Sequence, residues 1–242
     1  MKLAVAQFRP IKGDIKKNIK NHKPLIDLAV QHGAEMIFFP ELSLTGYEPE
    51  LAAELAATPY DSIFTIFKQI SDEKKITIGV GTPLKNSNGV RIGMIIFQPN
   101  ADRSTYLKHF LHTDELPFFV PGENMSGTPV KNKNIAIAIC YELFVPEHSL
   151  KAHKNGATIY IASVAKTAEG IEKASTHLAA IATSYSMTVL MSNCVGYCDN
   201  FESGGKTSIW NNKGALLGQL DDKSQGILMI NTDTNEIIET IL

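Results

Sequence analysis

Cysteine is scarce in this chain. Three thiols, Cys140, Cys194 and Cys198, stand among 242 residues. They cannot all pair within one chain, so a disulfide scaffold is excluded and a reducing compartment is expected. An excess of one charge is also missing. The 23 basic and 25 acidic residues leave a net charge of −2, which gives no general electrostatic reason to expect nucleic acid or an anionic membrane as a partner. Long apolar runs are absent as well. The longest, Ile135 to Tyr141, falls far short of the roughly 18–20 residues of a membrane span and reads as a buried strand. Leu3 to Phe8, ahead of Arg9, is too short for a signal-peptide core, so a cytoplasmic protein is expected. With 44% hydrophobic and 20% charged residues, the chain is long enough to bury a core of its own. No linker or shift of composition divides it, and residues 1–242 are read as a single domain.

What is present is an alternation of short apolar runs with helical stretches. Lys2 to Phe8 reads as a strand, and Asp14 to Gln31 as a helix capped by Asp14, stopped at Gly33 and disturbed by Pro24. Glu35 to Phe39 is the next strand, Ser62 to Lys74 a helix, and Ile76 to Val80, Val90 to Phe97 and Ser104 to Leu107 are strands. The second half repeats the order. Strand Ile135 to Cys140, helix Pro146 to Asn155, strand Thr158 to Ser163, helix Ile171 to Ser186 and strand Thr188 to Ser192 precede a hairpin at Asn212-Lys213-Gly214. Gln225 to Asn231 reads as the final strand. Gly33-Ala34 and Gly156-Ala157 each join a helix to an apolar strand. The pattern points to a pseudo-symmetric α/β architecture.

Three reactive residues sit where apolar strands run out. Glu41 follows Ile37-Phe38-Phe39-Pro40, Lys108 follows Ser104-Thr105-Tyr106-Leu107, and Cys140 follows Ile135-Ala136-Ile137-Ala138-Ile139. Taken singly, each has a plain alternative: a solvated loop glutamate, an exposed strand-end lysine, a buried structural cysteine. Taken together they form a working set. Apolar neighbours would raise the pKa of Glu41 toward the range useful for proton transfer. A neighbouring ammonium and a following helix N-terminus would favour the Cys140 thiolate, and a fixed lysine with a backbone N–H can stabilise an oxyanion.

The ordered set resembles the nitrilase superfamily of carbon–nitrogen hydrolases. The resemblance runs from Leu3-Ala4-Val5-Ala6-Gln7 through Phe39-Pro40-Glu41-Leu42 and Thr45-Gly46-Tyr47 to Tyr106-Leu107-Lys108 and Phe119-Val120-Pro121-Gly122-Glu123. It continues with Ile139-Cys140-Tyr141-Glu142 and Pro146-Glu147, and closes on Ser192-Asn193-Cys194-Val195-Gly196 and Gly205-Lys206-Thr207-Ser208. It implies a four-layer αββα sandwich of nitrilase type with two pseudo-symmetric halves. It implies catalysis by Glu41, Lys108 and Cys140, with Glu115, seven residues after the lysine, bracing the site. It also implies a homodimer or higher homo-oligomer. Two departures lie where the substrate pocket is expected. Glu142 stands where many relatives have aspartate, and Ser163-Val164-Ala165-Lys166-Thr167 replaces an aromatic-arginine pair.

The expected function is therefore cofactor-free hydrolysis of small linear amides through a thioester on Cys140. Tyr47, Phe118, Phe119, Tyr141, Glu142 and Val164 are expected to line the pocket. Glu142 and Lys166 hint at a polar or charged substrate. The rival activity is nitrile hydrolysis through a thioimidate; a binding or scaffold protein on a degenerate enzyme fold is the rival of another class. Gly204-Gly205-Lys206-Thr207 fails as a phosphate loop because Asn200 stands where a glycine is needed. Cys194 and Cys198 lack zinc-site spacing, so no metal is expected. A Cys–His hydrolase using His109 or His112 fits its surroundings less well than the Glu-Lys-Cys set.

Overall fold

Period-2 alternation builds two sheets, and the two faces of each strand meet different partners. The computed structural model describes residues 1–123, 130 and 134–242. The first half supplies β1 (Lys2–Gln7), β2 (Met36–Phe38), β3 (Thr77–Asn86), β4 (Gly89–Phe97) and β5 (Ser104–Leu107). The second half supplies β6 (Ile135–Ile139), β7 (Ile159–Ser163), β8 (Thr188–Ser192), β9 (Val195–Cys198), β10 (Phe201–Gly204), β11 (Ser208–Trp210) and β12 (Leu216–Gln219). Last come β13 (Gly226–Asn231) and β14 (Glu236–Ile241). One sheet runs β14-β13-β1-β2-β3-β4-β5, the other β12-β11-β8-β7-β6, and β9 pairs with β10 alone. Each large sheet contains three neighbouring parallel strands, β1-β2-β3 in the first and β6-β7-β8, with β6 at the edge, in the second.

The helices are α1 (Ile15–Gln31), α2 (Ala52–Leu55), α3 (Thr65–Lys74), α4 (Pro146–Lys154) and α5 (Ala168–Tyr185). Helix α1 begins where Asp14 accepts a hydrogen bond from the Lys17 N–H at 3.0 Å, and it runs on through Pro24. Gly33 and Gly156 follow α1 and α4 at φ +76° and +82°. That left-handed conformation costs glycine nothing and lets the chain turn straight into the next strand.

Three buried clusters sort these elements into layers. Ala4, Ala6, Ile37, Ile78 and Phe97 face Leu25 and Ile26 of α1 and Phe67 of α3. The alternate residues Leu3, Val5, Met36, Met94 and Ile96 face Ile135, Ile137, Ile161 and Leu190 of the other sheet. On that sheet's far face Ala138, Tyr160 and Val189 pack on Ala152 of α4 and on Ala174 and Leu178 of α5. The order is helix, sheet, sheet, helix. At one end the sheets are joined by hydroxyls: Ser192 Oγ donates to the Ala6 and Phe38 carbonyls at 2.6 and 3.2 Å, and Ser163 Oγ to the Phe39 carbonyl at 2.9 Å. No helix among the described residues is long and apolar enough to cross a membrane.

The expected final strand is not the last one. Beyond β13 the chain turns back, and β14 pairs antiparallel along its whole length. Its residues are all exposed or half-buried, so this sheet edge carries no strong apolar signal in the sequence.

Candidate active site

Glu41 arrives from the end of β2. Pro40 closes the strand, and the turn that follows is held against β3, where Leu44 N–H donates to the Gly81 carbonyl at 3.0 Å. A side chain at position 81 would come within 2.5 Å of the Pro40 carbonyl and the Leu42 nitrogen, so only glycine lets the turn lie so close. Leu42 takes a left-handed φ of 51°, a conformation that costs a bulky residue free energy and recurs at functional sites. The Glu41 carboxylate is fully buried. Burial pushes it up from the ordinary carboxylate range, the Lys108 charge opposes the rise and Glu115 adds to it.

Lys108 follows β5, its backbone fixed by N–H donation to the Ile92 carbonyl at 2.9 Å and by Gly122 N–H donation to its own carbonyl at 2.7 Å. Its ammonium donates to Glu41 Oε1 at 2.8 Å and to Glu115 Oε1 at 2.6 Å. Burial alone would lower this lysine, but Glu41, Cys140 and Glu115 together hold it above its ordinary value. Glu115 is also bound from other directions, at Oε1 by the Tyr47 hydroxyl at 3.1 Å and at Oε2 by the His112 N–H at 2.8 Å. Two of the three ammonium protons are thus engaged, and the third is free of both carboxylates. Glu41 Oε2 is buried with no hydrogen-bond partner among the described residues. An unpaired buried carboxylate oxygen is costly, and such atoms occur where a proton is to be handled.

Cys140 ends β6 at a left-handed φ of 47° and opens a 3-10 turn, Cys140–Phe144. The thiol is half-buried. Its environment departs from the expected thiolate. Burial pushes the Cys140 pKa up, Glu41 pushes it further, and the opposing charges of Lys166 and Lys108 do not outweigh them. The expected helix N-terminus is also displaced, since the 3-10 turn separates Cys140 from α4 at Pro146. The raised pKa favours the protonated thiol, which would need a base to take its proton before it could act as a nucleophile.

Cys140 and Glu115 open onto a cleft of about 510 Å³, while Glu41 and Lys108 lie buried behind its wall. Of the residues expected to line it, Tyr47, Phe118 and Tyr141 do, together with Glu115 and Cys140. Phe119, Glu142 and Val164 do not. Phe119 and Val164 are buried in the packed core, 2% and 0% exposed. Sequence reasoning missed Pro49, Phe144, Ala165 and Phe201 on the wall. Phe201 belongs to β10, and the β9–β10 turn adds Asp199 and Asn200. The signal available for them was the polar Cys198-Asp199-Asn200 turn between two short strands.

Glu142 is corrected from a pocket residue to a buried clamp. Its Oε1 accepts from the His109 N–H at 2.7 Å and the Phe110 N–H at 3.4 Å, just after Lys108. Its Oε2 accepts from the Ile139 N–H at 2.8 Å, just before Cys140, and from the Tyr106 hydroxyl at 2.8 Å. One carboxylate thus ties the backbone of the lysine to that of the cysteine, leaving no oxygen for a ligand. Burial pushes Glu142 up to about 7, against the Ile139, His109 and Tyr106 donors and the Lys108 charge. Behind it, His148 contacts the hydroxyls of Tyr106 and Tyr160 at 2.8 Å each. Burial lowers that imidazole to about 4, so at neutral pH His148 is uncharged. Glu142→Gln places an amide N–H against backbone donors. Loss of about 10²-fold in kcat with little change in KM is expected, the scale of a misplacement near 1 Å; steady-state kinetics on any turned-over amide checks it.

Comparison with known proteins adds a lineage to this geometry. The family model described as carbon-nitrogen hydrolase matches residues 2–241. A glutamine-dependent NAD(+) synthetase of Thermotoga maritima is 21% identical over the whole of this chain, which spans 44% of that protein's length. A nitrilase of Pyrococcus abyssi is 25% identical over 66% of this chain and 63% of its own, and a hydrolase in the agr operon of Staphylococcus aureus is 24% identical over 98% and 93%. Among solved structures, an amidase from Nesterenkonia sp. AN1 superposes with a TM-score of 0.86 at 21% identity, covering 96% of this chain and 92% of that one. In that structure, of a mutant, acrylamide has added to the active-site cysteine.

Proposed function

The chain belongs to the carbon–nitrogen hydrolase family, and from that premise we propose that it is an amidase acting on small linear amides through a thioester on Cys140. The observation that carries the proposal is the fully buried Glu41 Oε2, without a partner among the described residues, beside an ammonium that already holds Oε1. A carboxylate fixed at one oxygen and open at the other suits a group that accepts a proton and returns it.

In the proposed reaction Cys140 Sγ attacks the carbonyl carbon while Glu41 Oε2 takes the thiol proton. Negative charge gathers on the carbonyl oxygen, where the third Lys108 proton and the Tyr141 N–H stabilise it. Tyr141 is the second residue of its 3-10 turn, so its N–H has no carbonyl within the turn to bond. As the intermediate collapses, the C–N bond breaks and Glu41 gives its proton to the departing nitrogen. Water then attacks the thioester, passes a proton to Glu41, and the proton returns to sulfur as the acid leaves. Glu115 keeps Lys108 in place. Every reacting group is a side chain or backbone N–H of residues 1–242, read as one catalytic unit with a second copy of the chain as partner, and no cofactor enters a step.

Nitrile hydrolysis uses the same nucleophile and is kept as the second reading because of the Pyrococcus abyssi relative. Release of ammonia from butyramide is expected to exceed release from butyronitrile at equal concentration. The reverse order moves the chain to the nitrilase reading, and release from neither removes both.

A further inference from the structure

The cleft holds one Lys or Arg among its described lining residues, Lys166. The other lysine of the site, Lys108, is already bracketed by two carboxylates. Lys166 has no carboxylate partner among the described residues; its ammonium lies 4.6 Å from the centre of the Phe144 ring, itself a wall residue. The side chain is half-buried, and its charge reaches both Glu41 and Cys140.

The backbone beneath it is pinned on both sides. Lys166 N–H donates to Asn193 Oδ1 at 3.0 Å. Its carbonyl accepts from Asn193 Nδ2 at 3.2 Å, Ser203 Oγ at 3.3 Å and the Gly204 N–H at 2.8 Å. The next residue, Thr167, caps α5 by accepting from the Gly170 N–H at 3.1 Å. This is a held position beside the nucleophile. Of the four acids lining the same cleft, Glu50, Asp114 and Asp199 are exposed at its rim, and Glu115 is buried and already paired with Lys108.

We propose that Lys166 is the anion-binding subsite of this cleft, and that the substrate is a short amide whose far end carries a carboxylate. The inference rests on the amidase reading above. Lys166 pairs with the carboxylate while the amide carbonyl lies at Cys140. The acidic rim disfavours anions too long to be swallowed, which confines the class to small half-amides of dicarboxylic acids. An ammonium partly desolvated on an aromatic face forms a stronger charge-assisted bond than one in water.

The test compares succinamate with its uncharged isostere, 4-methylpentanamide, by ammonia release, in the wild type and in Lys166→Met. Methionine keeps an aliphatic stem against Phe144 and removes the charge. For the wild type, kcat/KM is expected to favour succinamate by about 30-fold or more. In Lys166→Met the ratio of the two kcat/KM values is expected to fall by about 100-fold, the scale of one charge-assisted bond, with the loss in KM for succinamate. A wild type that prefers the neutral amide overturns the proposal without any variant. Equal loss on both substrates in Lys166→Met also overturns it, since a lysine that only tunes Cys140 and Glu41 would slow both alike. Turnover of neither amide by the wild type is a separate result, and removes the amidase reading instead.

Discussion

Replacing Cys140 by alanine is expected to abolish hydrolysis, with kcat falling by at least about 10⁴-fold, the scale on which removal of a nucleophile acts. The fold should survive. The thiol is half-buried, and its contact with the Ala165 carbonyl is long, 4.0 Å from the sulfur. Alanine also bears the same left-handed backbone at φ 47° that cysteine bears, so the change adds no new strain. Ammonia release and a thermal melt on the same preparation check both halves. Turnover at the wild-type rate would remove Cys140 from the mechanism. Alkylation supplies an independent view: iodoacetamide followed by peptide mapping should mark Cys140 before Cys194 and Cys198, which are buried.

The second large effect is on stability. Lys108→Met takes the shared cation away from Glu41 and Glu115, which are 1% exposed each. Removing one partner of a buried ion pair typically costs about 3–5 kcal/mol, because the remaining charge stays buried without compensation. For a chain of this size that is a drop in Tm of about 6–20 °C. The cost should depend on pH in a definite direction. Without the ammonium, burial is left to raise the Glu41 carboxyl unopposed by Lys108, so the folded variant holds a proton that its unfolded chain releases. Folded pKa values above the unfolded ones give stability that is present at low pH and lost as pH rises. The deficit against the wild type is therefore expected to be smaller at pH 5 than at pH 7.5. Thermal melts across that range read it directly, and a deficit that grows toward acid would contradict the buried triad.

How much of this was legible in the sequence depends on which signal each residue carried. Strands such as β6 and β7 were plain because alternate residues serve different cores, Ile135 and Ile137 between the sheets and Ala138 and Tyr160 beneath the helices. The shortness of β9 and β10, and the exposed and half-buried residues of β14, left no comparable pattern. The positions of Glu41, Lys108 and Cys140 at strand ends were readable; the direction of a side chain two residues beyond was not. Glu142 illustrates this. Its place next to the nucleophile suggested substrate contact, yet the 3-10 turn rotates it inward to four donors. The Cys140 pKa was misjudged for a related reason. Sequence reveals which charges are near a thiol, but the desolvation that outweighs them depends on packing.

The hydroxyls of Ser163 and Ser192, which bind carbonyls of the opposite sheet, bear on when the proposed active site is assembled. Glu41 and Lys108 come from one half of the chain and Cys140 from the other, and β13 and β14 return from the C-terminal end to complete the first sheet. Neither half carries all of the proposed reacting groups alone. The contacts that bring them together span most of the chain, up to 186 residues for Ser192 with Ala6, and such distant closures form late. During refolding, regain of secondary structure should precede regain of turnover, and a nascent chain stays chemically silent until its last strands have joined the sheet that its first strand began.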